Sequence, residues 1–307
     1  MAIYKREHFG IARKIVSNMT SESWEQIPHA SLSYEADATD FLVECKKLNA
    51  GVTEKSQKIS INTVMIKVIC EALKTAPKMN CTLDFNRHLV RGTLHYHDNI
   101  DVSMPMILKT GEMMTVNMHD MGNKTLTEMT AAINDTIRRA NNSDMNEVMF
   151  EVSLDNTLTG LRQGKIKQTF TRLYGSKMPG KHHVKTLSGE AKKKYYSIPV
   201  EDRLTKHDIE QGTTTITNLG SVYREQKGLC MLLEIIPPQT TAFAINAAQK
   251  RPSVVTDENG NEKVEVRTIM PITIAFDHRS LDYGDCIPFF RKLDEIFADP
   301  TVIQSWK

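Results

Sequence analysis

Apolar positions along the first 140 residues recur with periods that separate helix from strand. Ile11, Ile15 and Met19 fall at helical spacing and predict a helix over 9–24, closed by Ile27-Pro28. Residues 29–37 alternate, with Ala30, Leu32 and Tyr34 on one face, as a half-buried strand does. Asp37 or Thr39 is placed to cap a helix running to residue 48. Met65, Val68, Ile69 and Leu73 share one face of a helix over 62–74, which Pro77 stops. Strands are expected at 89–96, 100–106 and 113–118, then a helix over 125–140. Beyond residue 198 the pattern returns. Residues 213–218, 241–247, 264–269 and 272–276 read as strands, Asp257-Glu258-Asn259-Gly260-Asn261 as a hairpin turn, and 287–297 as a closing helix. Helices mixed with late strands predict an α/β (α+β) sandwich, a mixed sheet with flanking helices.

Between these halves, over 141–197, periodicity is weak. Residues 148–161 fit an amphipathic helix, but 161–194 is rich in Lys, Arg, Gly and Thr and ends on Lys192-Lys193-Lys194. The expectation is one domain over 1–307 that carries a basic insertion, or mobile arm, at about 141–197.

Composition narrows the class without naming it. With 307 residues the chain can bury a large core, and a formal charge of +2 does not suggest a nucleic-acid binder. The N-terminus lacks an apolar signal core and no run reaches membrane-span length, so a cytoplasmic protein is expected. Cys45, Cys70, Cys81, Cys230 and Cys286 are widely spaced with no CxxC pair, which fits reduced thiols.

Three stretches carry candidate chemistry. Phe276-Asp277-His278-Arg279-Ser280-Leu281-Asp282 places a histidine at the end of an apolar strand, four residues before an aspartate. Imidazole titrates near neutrality in general, so a histidine held in such a turn suits general-base work. Gly212 to Gly220 reads as a threonine-rich strand that ends in hydroxyl, amide and glycine, where a threonine hydroxyl can meet a developing oxyanion. Pro237-Pro238-Gln239 and Lys250-Arg251-Pro252 flank a further strand. Singly, each of these is more often an ordinary turn.

Taken in order, they resemble the catalytic domain of the dihydrolipoamide acyltransferase component of 2-oxoacid dehydrogenase complexes, a family related in fold to chloramphenicol acetyltransferase. The resemblance rests on Thr215 to Gly220, Pro237 to Gln239, Lys250 to Pro252 and Asp277 to Asp282. The opening Ala12-Arg13-Lys14-Ile15 with Ile27-Pro28-His29 also matches, so 9–140 and 198–300 are covered. The resemblance implies CoA-dependent acyl transfer to a dihydrolipoamide-type thiol or a small hydroxyl or amine acceptor. His278 would be the base and Thr217 the oxyanion donor. Asp282 would belong to the catalytic loop, held by a structural ion pair with Arg13 (Lys14 is one register away). It further implies a homotrimer with the active site between subunits, acyl-CoA as substrate and no metal.

The chain also departs from the family pattern. Tyr283 stands where the family has glycine, and Gly284 follows one later. A tyrosine would be costly there if the position needs positive φ. No lipoyl domain and no peripheral-subunit-binding domain is expected within the chain, so a lipoyl group would come on a separate lipoylated protein. These departures sustain an alternative, a catalytically weak trimeric scaffold of the same fold. A third reading is an enzyme that acetylates a small metabolite or antibiotic. His95 and His97 share a strand face and form a weak metal pair, and His182-His183 a weaker one. Met104, Met106, Met113, Met114 and Met118 read as adaptable core or channel lining.

Overall fold

The computed structural model describes residues 3–107, 113–162, 166, 170, 174, 186–257 and 259–307. These fall into two compact units. One comprises Met1–Glu22, Met106–Val116 and Asp135–Glu210, the other Ser23–Pro105, Asn117–Asn134 and Gln211–Lys307.

The second unit holds most of the sheet. β1 (His29–Asp37), β4 (Val102–Ile107), β5 (Met113–Met118), β6 (Thr214–Asn218), β7 (Thr241–Ile245), β8 (Gln249–Thr256) and β9 (Glu262–Asp277) form seven strands in the order β1-β9-β7-β6-β4-β5, with β8 on β9. β6 runs parallel to β4 and β7, and β9 runs antiparallel to β1, β7 and β8. β2 (Cys81–Asn86) and β3 (Arg91–Tyr96) make a separate hairpin. The central strands are buried on both faces, hence the continuous apolar run from Ile269 to Phe276 broken only by Pro271 and Thr273.

Helix α3 (Ile61–Thr75) is almost wholly buried from Val64 to Leu73. Ser60 caps it by accepting the Thr63 amide at 3.0 Å. The closing helix, Tyr283–Ala298, lays Phe289 against Phe243 of β7 with ring centroids 5.3 Å apart. Burying rings of this kind stabilises by about 1.5–3 kcal/mol each.

Two boundaries differ from the sequence reading for identifiable reasons. The strands read separately at 264–269 and 272–276 are one, because β9 runs through Pro271. The proline needs only its carbonyl, which accepts the Asn246 amide at 2.9 Å. The closing helix, read as 287–297, starts at Tyr283, where Asp282 and Asp285 form a capping box. β2 and β8 were not expected as strands. β8 pairs with β9 alone, and an edge position tolerates Pro252.

In the first unit, helix Met145–Arg162 and a short helix Gly189–Tyr196 occupy much of the stretch read as a basic arm. Glu147 is fully buried and accepts the Leu187 amide at 2.5 Å and the Tyr196 hydroxyl at 3.0 Å. Arg139 pairs with Asp208 at 2.7 Å, and Ser143 Oγ accepts the Leu204 amide at 2.7 Å. Packed polar groups of this kind are not visible in a count of lysines. The rest of that arm, His182 and His183 included, lies outside the described residues. Among the described residues no helix is long and apolar enough to cross a membrane.

Candidate active site

The turn that carries His278 is heavily stitched. Asp277 ends β9 fully buried, and its carboxylate takes Arg279 Nη2 at 2.6 Å, Arg279 Nε at 3.0 Å and the Arg279 amide at 2.9 Å. The Asp277 carbonyl accepts the amides of Ser280 and Leu281 and the Ser280 hydroxyl. On the other side the His278 amide donates to the Pro28 carbonyl at 3.1 Å. The Ile-Pro-His stretch and the Asp-His-Arg turn therefore meet through β1 and β9, where His29 lies opposite Asp277.

This framework orients the imidazole. His278 Nδ1 lies 3.1 Å from the Leu281 carbonyl oxygen. A carbonyl only accepts, so Nδ1 carries the proton and Nε2 keeps its lone pair. The ring is about half exposed and packs edge-on to Phe276 at 5.8 Å. Asp282 Oδ1 stands 3.5 Å from Nδ1 and its side chain is 83 % exposed. With the Nδ1 proton already given to Leu281, this carboxylate has no proton path to the ring. Arg13 is an exposed residue of α1 (Ile11–Gln26) in the first unit and Asp282 belongs to the second, so their pairing stays an expectation.

Tyr283 is the first residue of the closing helix, and its φ is not positive. It is 61 % exposed and stacks on Phe290 at 5.7 Å. The backbone at this position makes no demand for glycine.

Thr217 lies on β6, half-buried, and among the described residues its hydroxyl takes no hydrogen bond. The strand around it is fixed at both ends. At its start, Gln239 is buried. Its amide donates to the Gly212 carbonyl at 2.8 Å, and its oxygen accepts the Thr215 hydroxyl at 2.7 Å. At its end, a Cβ on Gly220 would come within 2.8 Å of the Ala247 Cα and N, so only glycine lets these backbones approach. Asn218 caps the next turn through the Ser221 amide and donates to Asn62 Oδ1, both at 2.8 Å.

The two groups do not meet within one chain. Thr217 pairs with Ala244 and Ala244 with Thr273, while His278 lies five residues further along β9. They stand at opposite ends of the sheet.

Pro237-Pro238 is a cis peptide that leads into Gln239. In Lys-Arg-Pro, Arg251 binds Glu35 at 2.7 Å and Lys250 binds Thr268 Oγ1 at 2.7 Å, which makes that motif a tie between strands. The sequence signalled Gln239 only as part of a turn, and the Asn62 contact not at all. Two groups pointed to as metal ligands are otherwise engaged or apart: His97 Nε2 lies 3.0 Å from Thr82 Oγ1, and His95 is exposed. Among the described residues no group of three metal-ligating side chains converges. All five cysteines are free thiols, and burial pushes Cys45 and Cys70 up to about 12 and Cys286 up to about 11, far from thiolate chemistry.

Beside the histidine turn opens a cleft of ≈ 780 Å³, walled by Trp24, Ile27, Pro28, Phe85 and Val90 and reached by Arg87, Arg279, Glu25 and Gln26.

The curated dihydrolipoyllysine-residue acetyltransferase component of the pyruvate dehydrogenase complex of Rickettsia felis is 22% identical over 293 residues, covering 95% of this chain and 53% of that protein. Its counterpart from Zymomonas mobilis is 22% identical over 288 residues, covering 94% and 48%. The chain thus spans about half the length of the curated relatives it matches. Among solved structures, a probable dihydrolipoamide acetyltransferase from Listeria monocytogenes superposes with a TM-score of 0.64 at 19% identity, covering 96% of this chain and 94% of that one. A truncated catalytic core of the 2-oxoacid dehydrogenase multienzyme complex from Thermoplasma acidophilum gives 0.60 at 15%, covering 96% and 99%. The fold is therefore that of these acyltransferase cores, a mixed sheet with flanking helices. The pattern of the 2-oxoacid dehydrogenases acyltransferase (catalytic domain) family matches residues 3–153 and 184–304, passing over 154–183, a shorter stretch than the 141–197 set apart on composition. With most of its length matched in this way, the chain belongs to the 2-oxoacid dehydrogenases acyltransferase (catalytic domain) family.

Proposed function

We propose that the chain transfers an acyl group between CoA and a thiol acceptor of the dihydrolipoamide type, with His278 as general base. The observation that carries this reading is the bond from His278 Nδ1 to the Leu281 carbonyl, which leaves Nε2 as the free base at the end of a rigid turn. Nε2 takes the proton of the acceptor thiol, and the thiolate attacks the thioester carbonyl. The Thr217 hydroxyl donates to the oxyanion, an interaction worth about 3–4 kcal/mol of barrier. His278 then returns the proton to the departing thiol. Thr217 of one copy and His278 of the next would serve one carbonyl, since the two lie at opposite ends of a single chain's sheet. That requirement supports the homotrimer the resemblance implies, with the active site between subunits. Asp282, held by Arg13, would brace the turn without relaying protons. The acceptor lipoyl group would come from a separate protein or as a small molecule, and a cytoplasmic location agrees with these substrates.

The test is acyl-CoA turnover with free dihydrolipoamide, followed by CoA thiol release. Turnover that is lost in His278→Ala supports the enzyme. No turnover with thiol, alcohol or amine acceptors, from a protein that sediments as a trimer, would overturn it in favour of the scaffold.

A further inference from the structure

General-base action by Nε2 needs the His278 proton to stay on Nδ1, and one peptide group receives that proton. Leu281 supplies its carbonyl, 3.1 Å from Nδ1, and Asp282 supplies its N–H. A trans peptide is planar, with C=O and N–H pointing in opposite directions, so whatever holds the N–H also aims the C=O. This N–H donates to Asp285 Oδ2 at 2.8 Å. One residue earlier, the Leu281 amide donates to the Asp277 carbonyl at 3.1 Å, and the Leu281 side chain is buried. The peptide is therefore pinned on both sides of its plane.

Asp285 is itself tied down. Lys78 Nζ reaches the same Oδ2 at 2.8 Å from the turn that follows α3, and both partners are half-buried. That turn has little freedom: Met79 beside Lys78 is fully buried, and Thr75 donates to the Pro288 carbonyl of the closing helix at 3.1 Å. The Asp282 amide first, and then the Lys78 ammonium, hold the Asp285 carboxyl below the usual carboxylate range, so it carries its charge at neutral pH. A charged acceptor on the N–H polarises the peptide and strengthens its carbonyl as an acceptor. The other charges at the turn are placed differently. The Asp282 carboxylate is exposed, 3.5 Å from Nδ1, and Asp277 is bound to Arg279 at 2.6 Å.

We propose that Asp285, tied down by Lys78, is the positioning residue of His278: through the Leu281–Asp282 peptide it keeps the proton on Nδ1 and the lone pair on Nε2. The step from tautomer to turnover rests on the acyltransferase reading, and the tautomer itself does not. Asp285 touches no reacting atom. As a helix cap alone it would stabilise the closing helix and leave the ring proton indifferent to its loss. As a positioning residue it controls where that proton sits.

The experiment labels the full chain with nitrogen-15 at its ten histidines and reads the His278 tautomer from long-range proton–nitrogen correlations. Spectra are taken at about pH 8, where an ordinary imidazole is neutral. His278→Gln identifies the signals. The wild-type ring is expected as the Nδ1–H form. Asp285→Ala should give a mixture of both tautomers and lose about 10–100-fold in kcat with KM for acyl-CoA in place, the range for removing the partner that orients a functional histidine. Asp285→Asn keeps an oxygen for the Asp282 amide and should recover the Nδ1–H form and most of kcat. If Asp285→Ala does not fold, Lys78→Met is read in its place and should show the Nε2–H form beside the Nδ1–H form. A tautomer unchanged in the variant that is read, or an Asp285→Asn no better than Asp285→Ala, overturns the proposal. A tautomer shift in a chain that turns over no acceptor would uphold the clamp and count against the acyltransferase reading. A fall in kcat with the tautomer intact would do the reverse.

Discussion

Two individually disabled variants should restore one another. The register places Thr217 level with Thr273 across β7, and His278 lies five residues beyond. At about 3.3 Å per residue and about 4.8 Å per strand spacing, their Cα atoms are about 19 Å apart in one chain. A catalytic donor and base must both lie within about 3 Å of the reacting atoms, and side chains of this size cannot close such a gap. A site made of Thr217 from one copy and His278 from the next is then a head-to-tail contact, which closes only as a ring. Alone, Thr217→Ala should lose about 10²–10³ in kcat, and His278→Ala should lose its base. When the two variants are unfolded together at equal concentration and refolded, a site works only if its histidine comes from one variant and its threonine from the other. Random assortment makes about a quarter of the sites intact in a cyclic assembly. The assay is CoA release by the mixture beside each variant refolded alone, with sedimentation to establish that mixed rings form. Recovery to about a quarter of wild-type turnover is expected. Mixed rings with no recovery would refute the shared site.

Replacing Gln239 by leucine should leave the Gly212 carbonyl and the Thr215 hydroxyl without their buried partner, at about 1–3 kcal/mol for each group, read as a lowered denaturation midpoint with reduced turnover. Gly220→Ala forces a Cβ to within 2.8 Å of Ala247 backbone, where no flexible side chain can yield. Lost activity with displaced β6 resonances or lost solubility is expected, and a fully active, equally stable variant would contradict the packing argument. Burial, the largest cause, lowers the pKa of His29 below 6.5, the ordinary value for histidine, while its Nε2 accepts the Ile235 amide at 3.1 Å. The unfolded chain therefore binds a proton more readily, so stability should fall as pH drops below about 6.5. Thermal midpoints measured from pH 8 to pH 5 should decline less steeply in His29→Gln, and parallel curves would refute the assignment.

Much of the fold is legible in periodicity because each signal is local. The alternation of Ala30, Leu32 and Tyr34 marks β1 at its observed ends, and the shared face of Met65, Val68, Ile69 and Leu73 marks α3. Element bounds escaped the pattern where only long-range partners decide. Pro271 sits inside β9 because Asn246 needs only its carbonyl, and β8 exists because β9 lies beside it. The same holds for Glu147, whose buried carboxylate organises helices in a stretch that reads as a charged arm.

The sequence by itself determined the chemical types at the candidate site: an imidazole at a strand end, a hydroxyl on a glycine-bounded strand, and the family to which both belong. Only the tertiary structure decided which imidazole nitrogen is free, that Tyr283 is an ordinary first residue of a helix, and that Thr217 and His278 stand at opposite ends of the sheet. Residue types and short spacings are properties of neighbouring positions along the chain. Proton placement and separation depend on carbonyls and strands that only folding brings alongside.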